Sequence, residues 1–531
     1  MQIIIPMTWI WKRFLDVWYK EPKPLIEIEG KLIIEHVVNL FPEESDFLFI
    51  VNEEHVKTTN ILDILNTIVK NPKILTIPKA KWPVDAVIKA KGLIKDDEPC
   101  IVNYCDFSMQ RDYKDFVKTV AQNKCDGAIP SYIGFHPHLS HQHKYAGMRT
   151  DEKNWMLEIR EKHSFTENTM DSYQSVGTYY FASGTILKKY CQKMLDEWEM
   201  LNGEYYVSMV YDLMQKDGCP IYVYEIQKML QWWTPQDLEE YLYRSNLFRA
   251  KIYTQPAYDA IIYDEMQTII PIWGEGLRFK KEGYKDLKPL IKIGKTPMFV
   301  QAINDMPQTK KMVFVSSNRH ITELGMGDYF KKHFPDCEII AMDPQWPVQD
   351  CIQAEHMFDP EKPLNLIACD NWLMRDFSKF IDMYANPKID AAIRSFRGHP
   401  WQALSPTSRW WIEVAKEDWI TAKRISCKVP LSGSPLQDHA IVGAFYFKKA
   451  KYFFDAAKEM IEKGVNVNGA THNDLVLEIM IQKWYNVRVF EADKYIGRGT
   501  PNDFKSYLYR QEYFDQCASH PYKKELDEDY K

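Results

Sequence analysis

Residues 268–279 read TIIPIWGEGLRF, an apolar stretch that runs directly into a loop with two glycines and an arginine. Residues 3–14 read IIIPMTWIWKRF and repeat the same order of apolar, proline, aromatic and basic positions. A strand that leads at once into a loop and a helix is typical of open α/β sheets, where such loops gather at the carboxyl ends of the strands and bind ligands. The stretch therefore predicts an α/β fold with its ligand site at this loop.

The match between these two stretches extends along the chain at a nearly constant separation, close to half the length of the chain. Residues 6–55 lie over residues 271–320 without a gap. Later matches pair Cys105-Asp106 with Cys369-Asp370, Asn202-Gly203 with Asn468-Gly469, and Thr234-Pro235 with Thr500-Pro501. We interpret this as duplication of a domain and not as a short repeat. Residues 1–262 are called the first half below, and residues 263–531 the second half.

Length and composition agree with two globular domains. The chain has 531 residues, 45% of them hydrophobic, and a net charge of -6, which gives no reason to expect nucleic acid or an anionic membrane as partner. No stretch is apolar enough for a spanning helix, and the start lacks the features of a signal peptide. Ten cysteines without zinc spacing are expected to be reduced thiols. These features predict a soluble, cytoplasmic protein.

Each half alternates short apolar runs with helical patterns, which predicts a mostly parallel sheet covered by helices. In the first half we expect strands at 3–5, 46–51, 73–77 and 98–105, with helices at 33–39 and 61–69. In the second half we expect strands at 268–270, 311–315, 338–341 and 364–369. The residues beyond about Arg510 are polar and are expected to form a loose tail.

The loop of the second half carries residues suited to phosphate. Gly274 and Gly276 allow close approach of the backbone, whose amides can then bind an anion. Arg278 follows, and Lys288 comes later in the segment Lys-Pro-Leu. The first half repeats the two cations as Arg13 and Lys23. Solvated loop cations are the alternative interpretation, but the duplicated spacing favours a phosphate site.

A glycine loop with this arginine, followed by the Lys-Pro-Leu segment, resembles the sugar nucleotidyltransferase family, or nucleotide-diphospho-sugar pyrophosphorylases, of the bacterial capsule and surface-polysaccharide type. The resemblance covers nearly the whole of each half. It implies two tandem Rossmann-like, GT-A-like three-layer α/β/α domains, over 1–262 and 263–531. It also implies a reaction in which a nucleoside triphosphate and a sugar 1-phosphate, or a related phosphorylated compound, are joined and pyrophosphate is released.

The resemblance also assigns roles. Arg278 and Lys288 would face the phosphates, and Asp370, like Asp106 in the first half, would bind Mg²⁺ at the end of an apolar strand. A second metal carboxylate is expected shortly before the late Thr-Pro. That position holds Gln231 in the first half and Gly497 in the second, with Asp493 as a possible substitute in the second, so binding by two carboxylates stays in doubt. A helix cap or turn is the other interpretation of either aspartate.

On the acceptor side, the resemblance implies that Lys162 and Lys428 contact the acceptor phosphate. It also implies that Gly177 and Gly443 let the sugar lie against the backbone. A lone lysine is usually a surface residue. The recurrence of both lysines at the same place before Gly-x-x-Tyr-Phe is what favours a functional role.

Tryptophan replaces glycine at one set of positions. Trp9, Trp11, Trp18 and Trp233 of the first half stand opposite Gly274, Gly276, Gly283 and Gly499. The resemblance suggests that Trp82, Trp346, Trp372 and Trp410 also replace glycines. The chain has 16 Trp and only 22 Gly, a high and a low share respectively.

Two explanations of this replacement stay open. In one, the first half has decayed into a structural copy. In the other, UGA codons read as glycine in the source organism have been translated as tryptophan.

Three functions remain at this point. The first is a tandem nucleotidyltransferase that makes a precursor for a surface polysaccharide. The second is a glycosyltransferase of the same general fold, against which the sequences Asp106-Phe-Ser and Asp370-Asn-Trp count, because that class usually carries Asp-x-Asp. The third is a module that binds nucleotide or nucleotide sugar without turnover, which suits the first half as written.

Overall fold

The computed structural model describes residues 1–531 except 10–11, 18, 79, 81–82, 141–144, 198–200, 202, 254–261, 273, 375–376, 400–401, 403–404 and 531. The chain divides into two compact units, Met1–Arg244 with Cys517–His520 and Ser245–Gln516 with Pro521–Lys531. Each unit is described by itself below.

The strands of the first unit are β1 (Gln2–Met7), β2 (Glu27–Ile28), β3 (Lys31–Leu32), β4 (Asp46–Asn52), β5 (Lys73–Ile77), β6 (Cys100–Asn103), β7 (Phe107–Gln110), β8 (Gly127–Tyr132), β9 (Gly147–Thr150), β10 (Met156–Arg160), β11 (Tyr173–Ser175), β12 (Thr178–Phe181), β13 (Ile221–Glu225) and β14 (Lys228–Gln231). Its helices are α1 (Lys12–Leu15), α2 (Ile33–Val38), α3 (Glu53–Thr58), α4 (Ile61–Ile68), α5 (Pro83–Lys89), α6 (Tyr113–Asn123), α7 (Gly184–Glu197) and α8 (Val207–Lys216). Helix α9 (Pro235–Tyr253) runs through the point of division.

The strands of the second unit are β15 (Ile262–Ile272), β16 (Lys292–Ile293), β17 (Thr296–Pro297), β18 (Gln308–Ser317), β19 (Glu338–Met342), β20 (Leu364–Ile367), β21 (Asn371–Met374), β22 (Ala391–Phe396), β23 (Trp410–Val414), β24 (Ala422–Cys427), β25 (His439–Phe447), β26 (Val487–Glu491) and β27 (Lys494–Gly497). Its helices are α10 (Leu277–Lys281), α11 (Met298–Asn304), α12 (Asn318–Thr322), α13 (Met326–His333), α14 (Pro347–Gln353), α15 (Phe377–Ala385), α16 (Ala450–Glu462), α17 (Asn473–Gln482) and α18 (Pro501–Gln516).

The main sheets of the two units follow the same strand order. In the first, β5-β4-β1-β6-β12-β8 lie side by side and β13 pairs with β8. In the second, the order is β19-β18-β15-β20-β25-β22-β26. Neighbours are parallel except at β12 and β25, which run antiparallel to both flanking strands. The predicted α/β fold with large, mostly parallel sheets is confirmed.

The sheet of the second unit is buried on both faces, as expected for mostly parallel strands. Ile269 and Ile270 are neighbours in β15, are both 0% exposed, and pack into different hydrophobic clusters. Successive side chains of a strand point to opposite faces, so the alternation places one cluster on each side of the sheet. The carboxyl ends of β15 and β20 are thereby fixed as one rigid edge.

Most predicted elements are confirmed with small shifts at their ends, but the strand predicted at 268–270 is β15, which begins six residues earlier at Ile262. Helices predicted at 33–39 and 61–69 are α2 and α4, and the strand predicted at 73–77 is β5. Among the described residues, no helix combines the length and the apolar character needed to cross a membrane.

The expectation of a loose tail is wrong. Helix α18 continues to Gln516, and Tyr522 beyond it is 0% exposed. The Tyr522 hydroxyl donates to Asp527 Oδ2 at 2.6 Å, and Lys251 Nζ lies 2.8 Å from the same carboxylate and 2.6 Å from Asp529 Oδ2. An aromatic side chain and a buried ion pair thus hold these residues on the second unit.

Candidate active site

A cleft of about 860 Å³ opens at the carboxyl ends of β15 and β20 in the second half. It is lined by most of the residues predicted for this half: Gly274, Gly276, Arg278, Lys288, Asp370 and Gly443. The loops after parallel strands converge here because all these strands end at the same edge. The structure therefore brings the predicted loop, cations and aspartate together.

Gly276 is required by its conformation and its neighbour. It has φ +62° at the N-terminus of α10, a backbone conformation that side chains disfavour. A Cβ atom on Gly276 would lie 2.8 Å from Lys288 Cβ. The glycine thus lets the loop approach Lys288 closely.

Lys288 and Asp370 form an ion pair in the cleft. Lys288 Nζ lies 2.5 Å from Asp370 Oδ2, and the two side chains are 19% and 23% exposed. Burial is the largest single effect and lowers the pKa of Lys288, but the charge of Asp370, the charge of Cys369 and the hydrogen bond to Asp370 together outweigh it, so the net pKa is raised. Lys288 is therefore a permanent cation at neutral pH, partly open to the cleft.

Gly499 closes one side of this ion pair. A Cβ atom there would lie 3.2 Å from Asp370 Oδ2 and 3.9 Å from Lys288 Nζ. A larger side chain at this position would therefore meet the pair or cover it.

Glu275, between the two loop glycines, has its charge offset by neighbouring cations. Its Oε1 accepts from Arg319 Nη1 at 2.8 Å and contacts His320 Nε2 at 3.2 Å, while Oε2 pairs with Lys280. The hydrogen bond from Lys280, more than the other contacts, lowers the pKa of Glu275. These cations compensate for a carboxylate beside a loop predicted to bind phosphate.

The first turn of α17 lines the cleft with His472, Asn473 and Asp474. Burial raises the pKa of Asp474 to about 6. Asn473 is 9% exposed, and among the described residues its Oδ1 accepts no hydrogen bond. This turn supplies a titratable acid and a free acceptor.

Lys428 follows β24 and is exposed, with φ +57°. It does not line the cleft itself, but its charge acts on a residue that does. Burial first, and then the charge of Lys428, lower the pKa of His472. The predicted acceptor lysine thus stands beside the α17 turn.

The first half repeats the ion pair in a smaller cleft of about 300 Å³. Lys23 Nζ lies 3.2 Å from Asp106 Oδ2 and donates to the Trp233 carbonyl at 3.2 Å. Lys23 is 0% exposed, and here burial outweighs the charge of Asp106, so that the pKa of Lys23 is lowered. The pair is the same as in the second half, but it is covered.

Aromatic rings form much of the lining of this first cleft. Trp9 packs edge-on against Tyr104 with ring centroids 6.0 Å apart, and the Arg13 guanidinium lies 4.9 Å from the Trp233 ring centroid. The second half has Gly274, Ala368 and Gly499 in place of Trp9, Tyr104 and Trp233. Three small residues in one half correspond to three aromatic residues in the other.

Lys162 has φ +53°, close to the φ of Lys428. Its Nζ donates to the Tyr206 hydroxyl at 2.7 Å, and Tyr206 lines the first cleft. Gly177, with φ +95°, lies behind Tyr104, whose ring would be 3.1 Å from a Cβ atom on the glycine. The predicted acceptor lysine of the first half is therefore held by a tyrosine where the second half has His472.

Each half has a buried carboxyl, but the two carboxyls do not stand at corresponding positions. In the first, Glu161 accepts a hydrogen bond from Ser208 Oγ, and burial raises the pKa of Glu161 to about 7. The corresponding positions of the second half are Cys427 and Asp474, so the carboxyl stands on the helix instead of beside the lysine. Each half thus has one carboxyl whose pKa is raised by burial, Glu161 in the first and Asp474 in the second.

The α17 turn and the Glu275 cluster were not predicted. Comparison of the two halves could have found the turn, because residues 206–208 and 472–474 follow matched Asn-Gly pairs. Gln231, at the position expected for a second metal carboxylate, accepts from the Tyr145 hydroxyl at 2.9 Å. Trp11, Trp18 and Trp82 lie outside the described residues, as does the side chain of Trp372.

Comparison with curated proteins gave no match. Among solved structures, a nucleoside-diphosphate-sugar pyrophosphorylase from Vibrio cholerae RC9 is similar at 18% identity, covering 45% of this chain and 99% of that one, with a TM-score of 0.38. The inositol-1-phosphate CTP transferase from T. maritima is similar at 14% identity, over 44% of this chain and 90% of that one, with a TM-score of 0.35. A family described as nucleotidyl transferase matches residues 12–214, which lie within the first half.

Proposed function

We propose that the chain is a tandem nucleotidyltransferase whose second half transfers a nucleotidyl group from a nucleoside triphosphate to a sugar 1-phosphate or related phosphorylated acceptor. One observation carries the proposal: the Lys288–Asp370 ion pair beside a glycine loop in an open cleft of about 860 Å³. The family match on residues 12–214 supports it, because that range includes Arg13, Lys23, Asp106 and Lys162, the counterparts of the residues proposed in the second half.

In the proposed reaction an oxygen of the acceptor phosphate attacks the α-phosphorus of the triphosphate. The new P–O bond forms as the bond to the β-phosphate oxygen breaks, and that oxygen leaves with pyrophosphate. Negative charge on the phosphates is offset by Arg278 and by Lys288, which is cationic at neutral pH. The loop at Gly274 and Gly276 offers backbone amides to the leaving phosphates.

We further propose Mg²⁺ as cofactor, with Asp370 as protein ligand in the second half and Asp106 in the first. Mg²⁺ in such sites is commonly held by one or two carboxylates together with substrate phosphates, and it supplies charge neutralisation there. In the part of the chain that the structure describes, no group of three or more His, Cys, Asp or Glu could hold a metal. A single aspartate at a strand end fits the metal only when the nucleotide provides further ligands.

The acceptor is proposed to lie between Lys428 and the α17 turn. Lys428 would face its phosphate, and Gly443, which lines the cleft with φ +89°, would let it lie against the backbone. A product of this kind is an activated sugar, which suits the synthesis of a surface polysaccharide in the cytoplasm. The two halves, 1–262 and 263–531, are proposed to derive from one duplicated domain.

Pyrophosphate release tests the proposal. The full chain is incubated with each nucleoside triphosphate and a set of sugar 1-phosphates, with Mg²⁺ or with excess EDTA. We expect pyrophosphate only with a matching pair of substrates and only with Mg²⁺. A parallel incubation with nucleotide sugars tests the alternatives: release of nucleoside diphosphate would support a glycosyltransferase, and nucleotide binding without turnover in either incubation would support a binding module.

A further inference from the structure

Trp484 occupies a position that favours glycine. It follows α17 with φ +65°, its N–H donates to the Ile481 carbonyl at 3.0 Å, and the N–H of Tyr485 donates to the Met480 carbonyl at 3.1 Å. This is a Schellman ending, in which the left-handed residue is usually glycine. The indole is 94% exposed, so packing does not account for a large residue there.

The first half has glycine at the corresponding position. Gly218 follows α8 with φ +83°, its N–H donates to the Gln215 carbonyl at 2.9 Å, and the N–H of Cys219 donates to the Met214 carbonyl at 3.0 Å. Gly218 and Trp484 have the same separation as the matched Asn-Gly pairs, and they make the same two hydrogen bonds. The backbone conformation is shared, and only the side chain differs.

A second pair shows the same direction of change. Gly147 pairs with Arg160 between β9 and β10, and Trp411 pairs with Ser426 between β23 and β24. This glycine and this tryptophan have the same separation as the two matched Cys-Asp pairs. Tryptophan therefore stands opposite glycine in the second half as well as in the first. Decay of the first half alone would not produce that distribution.

Trp419 is a further tryptophan in a backbone conformation that favours glycine, although no glycine of the first half is matched to it. It lies in the turn between β23 and β24 with φ +60° and is 62% exposed. The turn between β9 and β10 has Asn154 at φ +65°, one of the residues that tolerate this region. A bulky, mostly exposed residue thus again stands at positive φ.

We infer that tryptophan stands at these positions because a codon read as glycine in the source organism is rendered as tryptophan. The first half then holds a second nucleoside triphosphate site. The inference of a second nucleoside triphosphate site rests on the function proposed above. With glycine at 9 and 233, two of the aromatic walls of the first cleft are removed, while Arg13, Lys23 and Asp106 stay in place. Tyr104 remains, so this cleft stays narrower than the second.

The two sites would differ on their acceptor sides. Glu161 beside Lys162 in the first half and Asp474 on α17 in the second place the carboxyl in different positions. A carboxyl accepts hydrogen bonds from hydroxyl groups of a bound ligand. The acceptor sides of the two sites would therefore differ, since Asp474 lines the second cleft whereas Glu161 is not among the described residues that line the first.

Peptide mass spectrometry of the protein purified from its own cells tests the residue identities. We expect glycine at 9, 233, 411 and 484, and tryptophan at 232, whose counterpart is Arg498 and which therefore serves as the control. Residues 484–488 follow Lys483 and end in Arg488, so trypsin releases them as one short peptide. Tryptophan at 484 and 9 in that protein would overturn the inference, whatever its activity.

Calorimetry with the full chain tests the second site. Nucleoside triphosphates are titrated into the chain as written and into the variant Trp9→Gly/Trp11→Gly/Trp18→Gly/Trp233→Gly. We expect the number of nucleotides bound per chain to double in the variant. An unchanged number would overturn the second site. No binding by either form would overturn it together with the proposed function, while the peptide masses decide the residue identities separately.

Discussion

The two halves hold the same lysine–aspartate pair in different surroundings. Lys23 is 0% exposed and lies under the Trp233 carbonyl, whereas Lys288 is 19% exposed on a cleft nearly three times as large. Burial lowers the pKa of Lys23, whereas for Lys288 the charge and hydrogen bond of Asp370, together with the charge of Cys369, outweigh burial and raise the pKa. The comparison teaches that the walls of the cleft, and not the ion pair, decide whether a ligand can reach the cation.

The largest expected effect is on turnover. Lys288→Ala and Arg278→Ala should each lower the rate of pyrophosphate release by about 10² or more, because each removes charge stabilisation from the transition state. Lys23→Ala should have little effect in the chain as written, since Lys23 is buried. Lys310→Ala, which removes an exposed ion pair with Asp264, serves as the control. Near-normal rates in both second-half variants, with folding intact, would remove this loop from the mechanism.

Stability should depend on Asp474 in a pH-dependent way. The ordinary pKa of an aspartic acid side chain is 3.8, and burial raises the pKa of Asp474 to about 6, so the folded protein favours the protonated acid. The stability that this acid contributes is complete below its ordinary pKa and is lost as pH rises through 6. Asp474→Asn should therefore raise the free energy of unfolding at pH 8 by about 2 kcal/mol, and by much less at pH 4.

Urea denaturation of both proteins at the two pH values measures this difference. The double variant Cys427→Glu/Asp474→Ser, which gives the second half the arrangement of Glu161 and Ser208, sharpens the comparison. We expect its pH dependence to follow the acid in its new place, with a pKa near that of Glu161, about 7. A loss of stability in Asp474→Asn at pH 8 would contradict the account.

The metal requirement should separate the two aspartates. Asp370→Asn should raise the Mg²⁺ concentration for half-maximal turnover about tenfold, equivalent to roughly 1.4 kcal/mol of binding free energy. Asp106→Asn should leave that concentration unchanged in the chain as written, because its cleft is covered by Trp9 and Trp233. Turnover at different Mg²⁺ concentrations measures both. Full activity in excess EDTA would rule out the metal.

The smallest expected effect concerns one exposed residue. Trp484→Gly should stabilise the protein by about 1 kcal/mol, since it relieves a left-handed conformation without loss of packing. Trp232→Gly, which empties a site that is 0% exposed, should destabilise it by about 3–5 kcal/mol. Urea unfolding curves give both values. Equal destabilisation by the two changes would show that the Trp484 indole is a structural residue.

Much of the fold could be predicted from local pattern. Strand β5 and helix α4 were predicted within a residue because apolar runs and helical spacing are local properties of the chain. The cleft residues of the second half were found because the loop, Lys288 and Asp370 recur with fixed spacing. Long-range contacts gave no such signal: the pairing of Lys251 with Asp527, which holds the C-terminal residues, joins positions far apart in sequence.

The acceptor side shows the same limit. Lys162 and Lys428 were predicted by position, but the carboxyl with a raised pKa in each half could not be, because it is Glu161 in the first half and Asp474 in the second. The two positions lie on different elements and come together only in the folded sheet and helix. A residue that changes place while its chemistry is kept leaves no match at a fixed separation.

Nucleotide binding by the chain as written, with either lysine removed, tests the central claim most directly. Calorimetric titration of the matching nucleoside triphosphate into the parent, Lys288→Ala and Lys23→Ala measures which half holds the ligand. We predict that Lys288→Ala weakens binding at least tenfold, equivalent to about 1.4 kcal/mol, and that Lys23→Ala leaves the affinity unchanged. Unchanged affinity in Lys288→Ala together with a loss in Lys23→Ala would place the nucleotide in the first half and contradict the account.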